Sequence, residues 1–133
     1  MENCIFCKIV KDEIPSVKVW EDEKFLAFLD IFPATEGHTL IIPKKHYENI
    51  FDMPKDVLKD SAEVAQKIAF LLKEKLGAEG INLLNSNNKI AGQEVPHYHI
   101  HVIPRYSKDE FEIVFKDKIK DINLKETAKK ILK

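Results

Sequence analysis

The segment His97-Tyr98-His99-Ile100-His101-Val102-Ile103 alternates between two kinds of side chain with a period of two. If it is extended, His97, His99 and His101 share one face, and Tyr98, Ile100 and Val102 share the other. Neighbouring histidines then lie about 6.6 Å apart, at roughly 3.3 Å per residue. The apolar face can pack on a core, which leaves three imidazoles lining a surface or cleft. Because imidazole titrates near pH 6.5 (about its unperturbed value), one ring can act as a neutral nucleophile or base beside a charged donor. A solvated histidine-rich face or an adventitious metal patch would share the spacing. The loop before the strand favours a site: Asn85 to Glu94 offers amides, a hydroxyl and Gly92, groups suited to phosphate oxygens.

The rest of the chain supplies partners for this strand. Residues 4–12 predict a short helix ending before Ile14-Pro15. Strands are expected at 16–20, at the apolar run 25–29, at 38–43 closed by Pro43, at 81–85, and at 98–103 ended by Pro104. Glu21 to Lys24 reads as a charged turn between two antiparallel strands, and Asp30 to Gly37 as a loop. A long helix begins near Asp52, with Pro54 in its first turn; Leu58, Ala62, Ala65, Ile68, Ala69, Leu72 and Leu76 keep helical spacing, and Gly77 stops it. Residues 111–115 predict an edge strand, and Leu124 to Leu132 a last helix. Short turns between strands and grouped helices favour an α+β fold on a mostly antiparallel sheet of about five strands.

At 133 residues there is room for one core, so residues 1–133 are expected to form a single domain, with 106–133 as its C-terminal extension. No apolar run approaches the roughly 20 residues that span a bilayer. The start, Met1-Glu2-Asn3-Cys4, lacks the basic and apolar regions of a signal peptide, so a cytoplasmic location and no membrane partner are expected. A net charge of -1 argues against a broad nucleic-acid surface. Arg105 is the only arginine, and no acidic cluster suggests a catalytic divalent ion.

With the histidine segment and its context in view, the sequence resembles the histidine triad (HIT) family, whose signature is His-x-His-x-His followed by apolar residues. The resemblance rests on 97–103 together with Ile5-Phe6, Lys8-Ile9, Ala27 to Ile31, Gly37 to His46 and Gly92-Gln93. It implies a HIT-like fold with one long helix and short terminal helices. It also implies a homodimer and a hydrolase or transferase acting at the α-phosphate of purine nucleotide conjugates, phosphoramidates or dinucleoside polyphosphates. A non-catalytic, regulatory nucleotide-binding module is the alternative. By the same resemblance, His99 is the nucleophile that becomes nucleotidylated, and His101 contacts phosphate and assists the leaving group. Asp30 binds ribose hydroxyls, Gln93 contacts phosphate, His38 lies near the pocket, and Phe6, Ile9 and Ile31 wall the base. Two positions depart from the family pattern. Ser86 stands where an asparagine is common, flanked by Asn85 and Asn87, and Asn85, Ser86 or Asn87 is expected to take that asparagine's place at the nucleotide. Glu94 stands where some branches carry serine near the leaving group, and a carboxylate there would repel an anionic one.

Cys4-Ile5-Phe6-Cys7 is open to three readings from spacing alone: a redox pair, two buried thiols, or half of a zinc site completed by histidines such as His46 and His97. The resemblance to family members with an N-terminal Cys-x-x-Cys implies the last, a structural zinc held by Cys4, Cys7, His46 and His97.

Overall fold

The computed structural model describes residues 3–115 and 121–133. Its elements run α1 (Ile5–Val10), β1 (Lys18–Glu21), β2 (Phe25–Leu29), β3 (Thr39–Pro43), α2 (Lys55–Leu76), β4 (Gly80–Leu84), a single 3-10 turn (Lys89–Ala91), β5 (Ile100–Arg105) and α3 (Leu124–Leu132). The strands form one antiparallel sheet in the order β1-β2-β3-β5-β4. The fold is α+β, with one long helix and short terminal ones, as the sequence predicts.

Period-two alternation sorts the sheet's two faces. Phe25, Ala27, Ile41, Ile100 and Val102 pack against Val64, Ala65, Ile68 and Leu72 of α2. The intervening residues Leu26, Phe28, Leu40 and Ile42 pack against Phe6 and Ile9 of α1. One face is therefore closed by a 22-residue helix, whereas the other carries only a 6-residue one. A short helix cannot cover five strands, so the second face stays partly open. The histidines lie on that open side.

Several element ends differ from expectation. Asp52 lies outside α2: its carboxylate accepts the Glu48 and Asn49 N–H groups at 3.0 and 2.9 Å, closing a turn, and Pro54 is the residue before the first helical one. Pro104 does not end β5. Pairing of β5 with β3 runs only over Ile100–Val102, so beyond it the missing proline N–H breaks no ladder bond on that edge, while pairing with β4 continues to Arg105. Residues 111–115 are not a strand. The Phe111 carbonyl is instead taken by the Arg105 guanidinium at 2.8 Å, and its ring lies beneath that group at 4.0 Å. No residue of α3 is buried.

Candidate active site and metal centre

The segment 97–101 enters β5 only at Ile100, but its alternation holds throughout. Tyr98, Ile100 and Val102 sit in the α2-side core, while the Phe6 ring lies edge-on to His97 and His99 at 5.8 and 5.1 Å. Each imidazole is then fixed by a different acceptor.

His99 Nδ1 lies 2.8 Å from the His97 carbonyl, to which it can only donate. That leaves Nε2 as the unprotonated nitrogen of a ring lining the cleft. Burial holds His99 below the usual histidine range, opposed by the His97 carbonyl and by Asp30 and Glu94. The ring is therefore neutral near pH 7, the state a nitrogen nucleophile requires.

His101 belongs to a relay. The Ala34 N–H donates to His38 Nδ1 at 3.0 Å, so neutral His38 carries its proton on Nε2. This nitrogen faces His101 Nδ1 at 2.9 Å and donates to it. His101 is thereby left with its own proton on Nε2. Burial, then His99 and His38, push His101 down to about 4, against Asp30. Asp30 Oδ2 lies 3.5 Å from His38 Nε2 and 4.0 Å from His101 Nδ1, while Oδ1 accepts the Phe32 N–H at 2.9 Å. These three groups could meet one cation, but the proton on His38 Nε2 argues for the relay instead.

The cleft, of about 450 Å³, has Phe6, Ile9, Phe28 and Leu40 as its apolar wall and Asp30, Ser86, Glu94, His99 and His101 as its polar groups. Ile31 lies at its lip, 80% exposed. His38 is buried behind His101 and reaches the cleft only through it.

The loop before the triad separates residues that the sequence leaves together. Asn85 Nδ2 donates to the His99 carbonyl at 2.9 Å, and Asn87 links the Asn85 side chain to the Ile50 N–H. Both amides brace the loop, and Ser86 between them faces the cleft. Gln93, expected at phosphate, is 7% exposed and does not line it. Its Oε1 accepts the Asn88 N–H at 2.8 Å, and its Nε2 donates to the Glu48 carbonyl at 2.6 Å and to the Val95 carbonyl at 3.1 Å, beside the turn that runs through positive-φ Asn88 and Gly92. Ser16 also lines the cleft, with a buried hydroxyl that has no partner among the described residues. A serine after a proline in an exposed connection carries no sequence signal for this position.

Beside the cleft, Cys4, Cys7, His46 and His97 bring their ligand atoms within 4.8 Å of one another. Cys4 Sγ lies 3.3 Å from His97 Nδ1, and Cys7 Sγ lies 3.4 Å from His46 Nδ1 and 3.6 Å from His97 Nδ1. A tetrahedral zinc with bonds of about 2.3 Å to sulfur and 2.0–2.1 Å to nitrogen spaces its ligand atoms about 3.3–3.8 Å apart. His97 Nε2 donates to the Pro43 carbonyl at 2.9 Å, which fixes the tautomer and turns the bare Nδ1 toward the sulfurs. Burial and the adjacent Cys4 push the Cys7 thiol up, a cost that a cation reverses because thiolate is the ligand. The four residues fit a zinc ion.

Comparison with known proteins bears on both centres. Residues 11–108 match the sequence model of the HIT domain family. The chain belongs to the HIT family. A crystal structure of a HIT family member from Bacillus subtilis superposes with a TM-score of 0.88 at 46% identity, covering 98% of this chain and 95% of that one. A zinc-bound histidine triad protein from Mycobacterium smegmatis superposes with a TM-score of 0.78 at 43% identity, over 81% of this chain and 78% of that one. The adenosine 5'-monophosphoramidase of Saccharomyces cerevisiae is 48% identical over 102 residues, 77% of this chain and 62% of the yeast protein. Cys4, Phe6, Cys7 and Ile9 precede the matched HIT segment. Among the described residues no helix is long and apolar enough to cross a membrane.

Proposed function

We propose that this HIT protein hydrolyses or transfers purine nucleotide conjugates at the α-phosphate, through a nucleotide bonded to His99 Nε2. The observation that carries the reading is the donor bond from His99 Nδ1 to the His97 carbonyl, which leaves a bare nitrogen in a cleft shared with Asp30 and His101. Apolar Phe6 and Ile9, with Ile31 at the lip, receive the base. Asp30 accepts the ribose hydroxyls, and Ser86, the loop N–H groups and His101 meet the phosphate oxygens. Gln93, His38 and Asn85 position these groups from behind. The similarity to the yeast phosphoramidase supports a nitrogen-linked substrate.

The chemistry divides one displacement into two. The His99 Nε2 lone pair forms a bond to phosphorus, and the bond to the leaving group breaks with its electron pair. The bound phosphate anion raises the proton affinity of His101, which, once protonated, gives its Nε2 proton to the departing atom. Water then attacks phosphorus, the P–N bond to His99 breaks, and His101 takes the proton that water releases. The products are a nucleoside monophosphate and the protonated leaving group.

Zinc at Cys4, Cys7, His46 and His97 is read as structural: it would tie α1 to the residue two before His99, in keeping with a reducing cytoplasmic setting. A homodimer is read from the edge position of β4 in the sheet, where Leu83 is 57% exposed, and from Phe70 of α2, 54% exposed.

The test is turnover of adenosine 5'-phosphoramidate by the wild type and by His99→Ala. Loss of at least roughly a thousandfold in kcat, with AMP binding retained, is expected. Equal rates would overturn the covalent mechanism. AMP binding with no turnover by the wild type would point to a regulatory binding module.

A further inference from the structure

The carboxylates that line the cleft have no lysine or arginine beside them in the described lining, and the shallow depression adjoining it contains none among its described lining residues either. The two hollows share Ile5, Glu94 and Val95, and the depression adds Glu48 and His46. Asp30 is already engaged with the Phe32 N–H and His38. Glu94 is exposed and forms no ion pair among the described residues, and neither does Glu48. Arg105 is committed to Asn82, Glu110 and Phe111 at the far end of β5. A polyphosphate leaving group would find two carboxylates there and, among the described residues lining the two hollows, no lysine or arginine to offset its charge. A group carrying a free ammonium would find both carboxylates open to it.

We infer that Glu94, backed by Glu48, selects substrates whose leaving group is an alkylamine bearing a second, free ammonium: aminoalkyl phosphoramidates of a purine nucleoside rather than dinucleoside polyphosphates. The inference rests on the phosphoramidase reading above and names its substrate class. The position of Glu94 on the rim shared by cleft and depression, on the loop that leads to His99, sets the direction in which the amine's arm runs. In the transfer step the scissile P–N electron pair goes to the amine nitrogen, which is protonated from His101, while the second ammonium stays beside Glu94. One unit charge met at about 6 Å across partly screened solvent is worth roughly tenfold in relative rate.

Three substrates with the same scissile bond test this: AMP joined through nitrogen to 1,3-diaminopropane, to propylamine and to β-alanine, which carry a cationic, neutral and anionic arm. The readout is the ratio of kcat/KM for the cationic over the anionic substrate, which cancels any general loss of activity. The wild type should favour the cationic substrate by roughly tenfold or more, and Glu94→Gln should remove most of that preference. Glu94→Lys should invert it, and both changes lie on an exposed side chain whose fold circular dichroism can check. A flat ratio in the wild type, or a ratio unmoved by Glu94→Gln, overturns the inference while turnover of the propylamine compound keeps the phosphoramidase reading. No turnover of any of the three by the wild type overturns both.

Discussion

Residues of the site hold their states through backbone contacts more than through one another. The His97 carbonyl sets the tautomer of His99, the Ala34 N–H that of His38 and through it His101, and the Pro43 carbonyl that of His97. Such bonds persist without ligand, so the reactive nitrogen is prepared before substrate arrives. Gly37 shows how little slack the supporting chain has. Its φ of +94° favours glycine, and a Cβ there would sit 2.6 Å from Leu76 Cδ1 and 3.2 Å from Leu72 Cδ2. Gly37→Ala should therefore cost about 1–3 kcal/mol in urea unfolding, partly as strain at positive φ and partly as displacement of the leucines. A loss under about 0.5 kcal/mol would show that the turn relaxes freely. Because His38 follows directly, the variant should also weaken the contact to His101.

At the scale of elements, α1 is the weak member. Six residues are too few to stand as an isolated helix, and its only capping side chain is Cys4 Sγ, which accepts the Cys7 N–H at 3.4 Å. Its attachment depends on Phe6 and Ile9 in the core and on the Cys4–Cys7–His46–His97 cluster. Metal analysis of protein purified without added metal should find about one zinc per chain, and chelation should lower the Tm by several degrees. Full stability with no metal and two freely titrating thiols would refute the site. The sequence offers this cluster as one of three readings of Cys-x-x-Cys. Spacing cannot choose among them, because the deciding fact is where a turn after β3 and the entry to β5 meet in space. The strand at 111–115 misleads for a related reason. Alternation there is real, but Arg105 captures the Phe111 carbonyl and no sheet edge pairs with the segment.

Over the whole molecule, burying several neutral imidazoles couples stability to acid. His101 titrates near 4 in the folded protein against about 6.5 when unfolded, with His38, Asp30 and His99 as the groups facing it. A depressed histidine binds its proton more readily in the unfolded chain, so the free energy of unfolding rises with pH across that interval. Stability should therefore fall as pH drops from about 6.5 to about 4 and be nearly flat from 7 to 8, as followed by denaturant midpoints at fixed ionic strength. His101→Gln should flatten part of that dependence. An unchanged slope in that variant would place the acid sensitivity elsewhere.

By itself the sequence determined the two-faced alternation over 97–103, the helix that covers its apolar side, and the family; the strand itself runs over Ile100–Arg105 rather than the expected 98–103. Those follow from local periodicity and from side chains that pair with either water or a core. Tertiary structure alone decided which nitrogen of each histidine is bare, because that depends on carbonyl and N–H groups of Pro43, Ala34 and His97 itself, set by the fold. It also decided that Ser86 faces the cleft while Gln93 turns into the loop's own backbone. A residue's chemical type fixes what it can bond; only the path of the chain around it fixes which of those bonds is already taken.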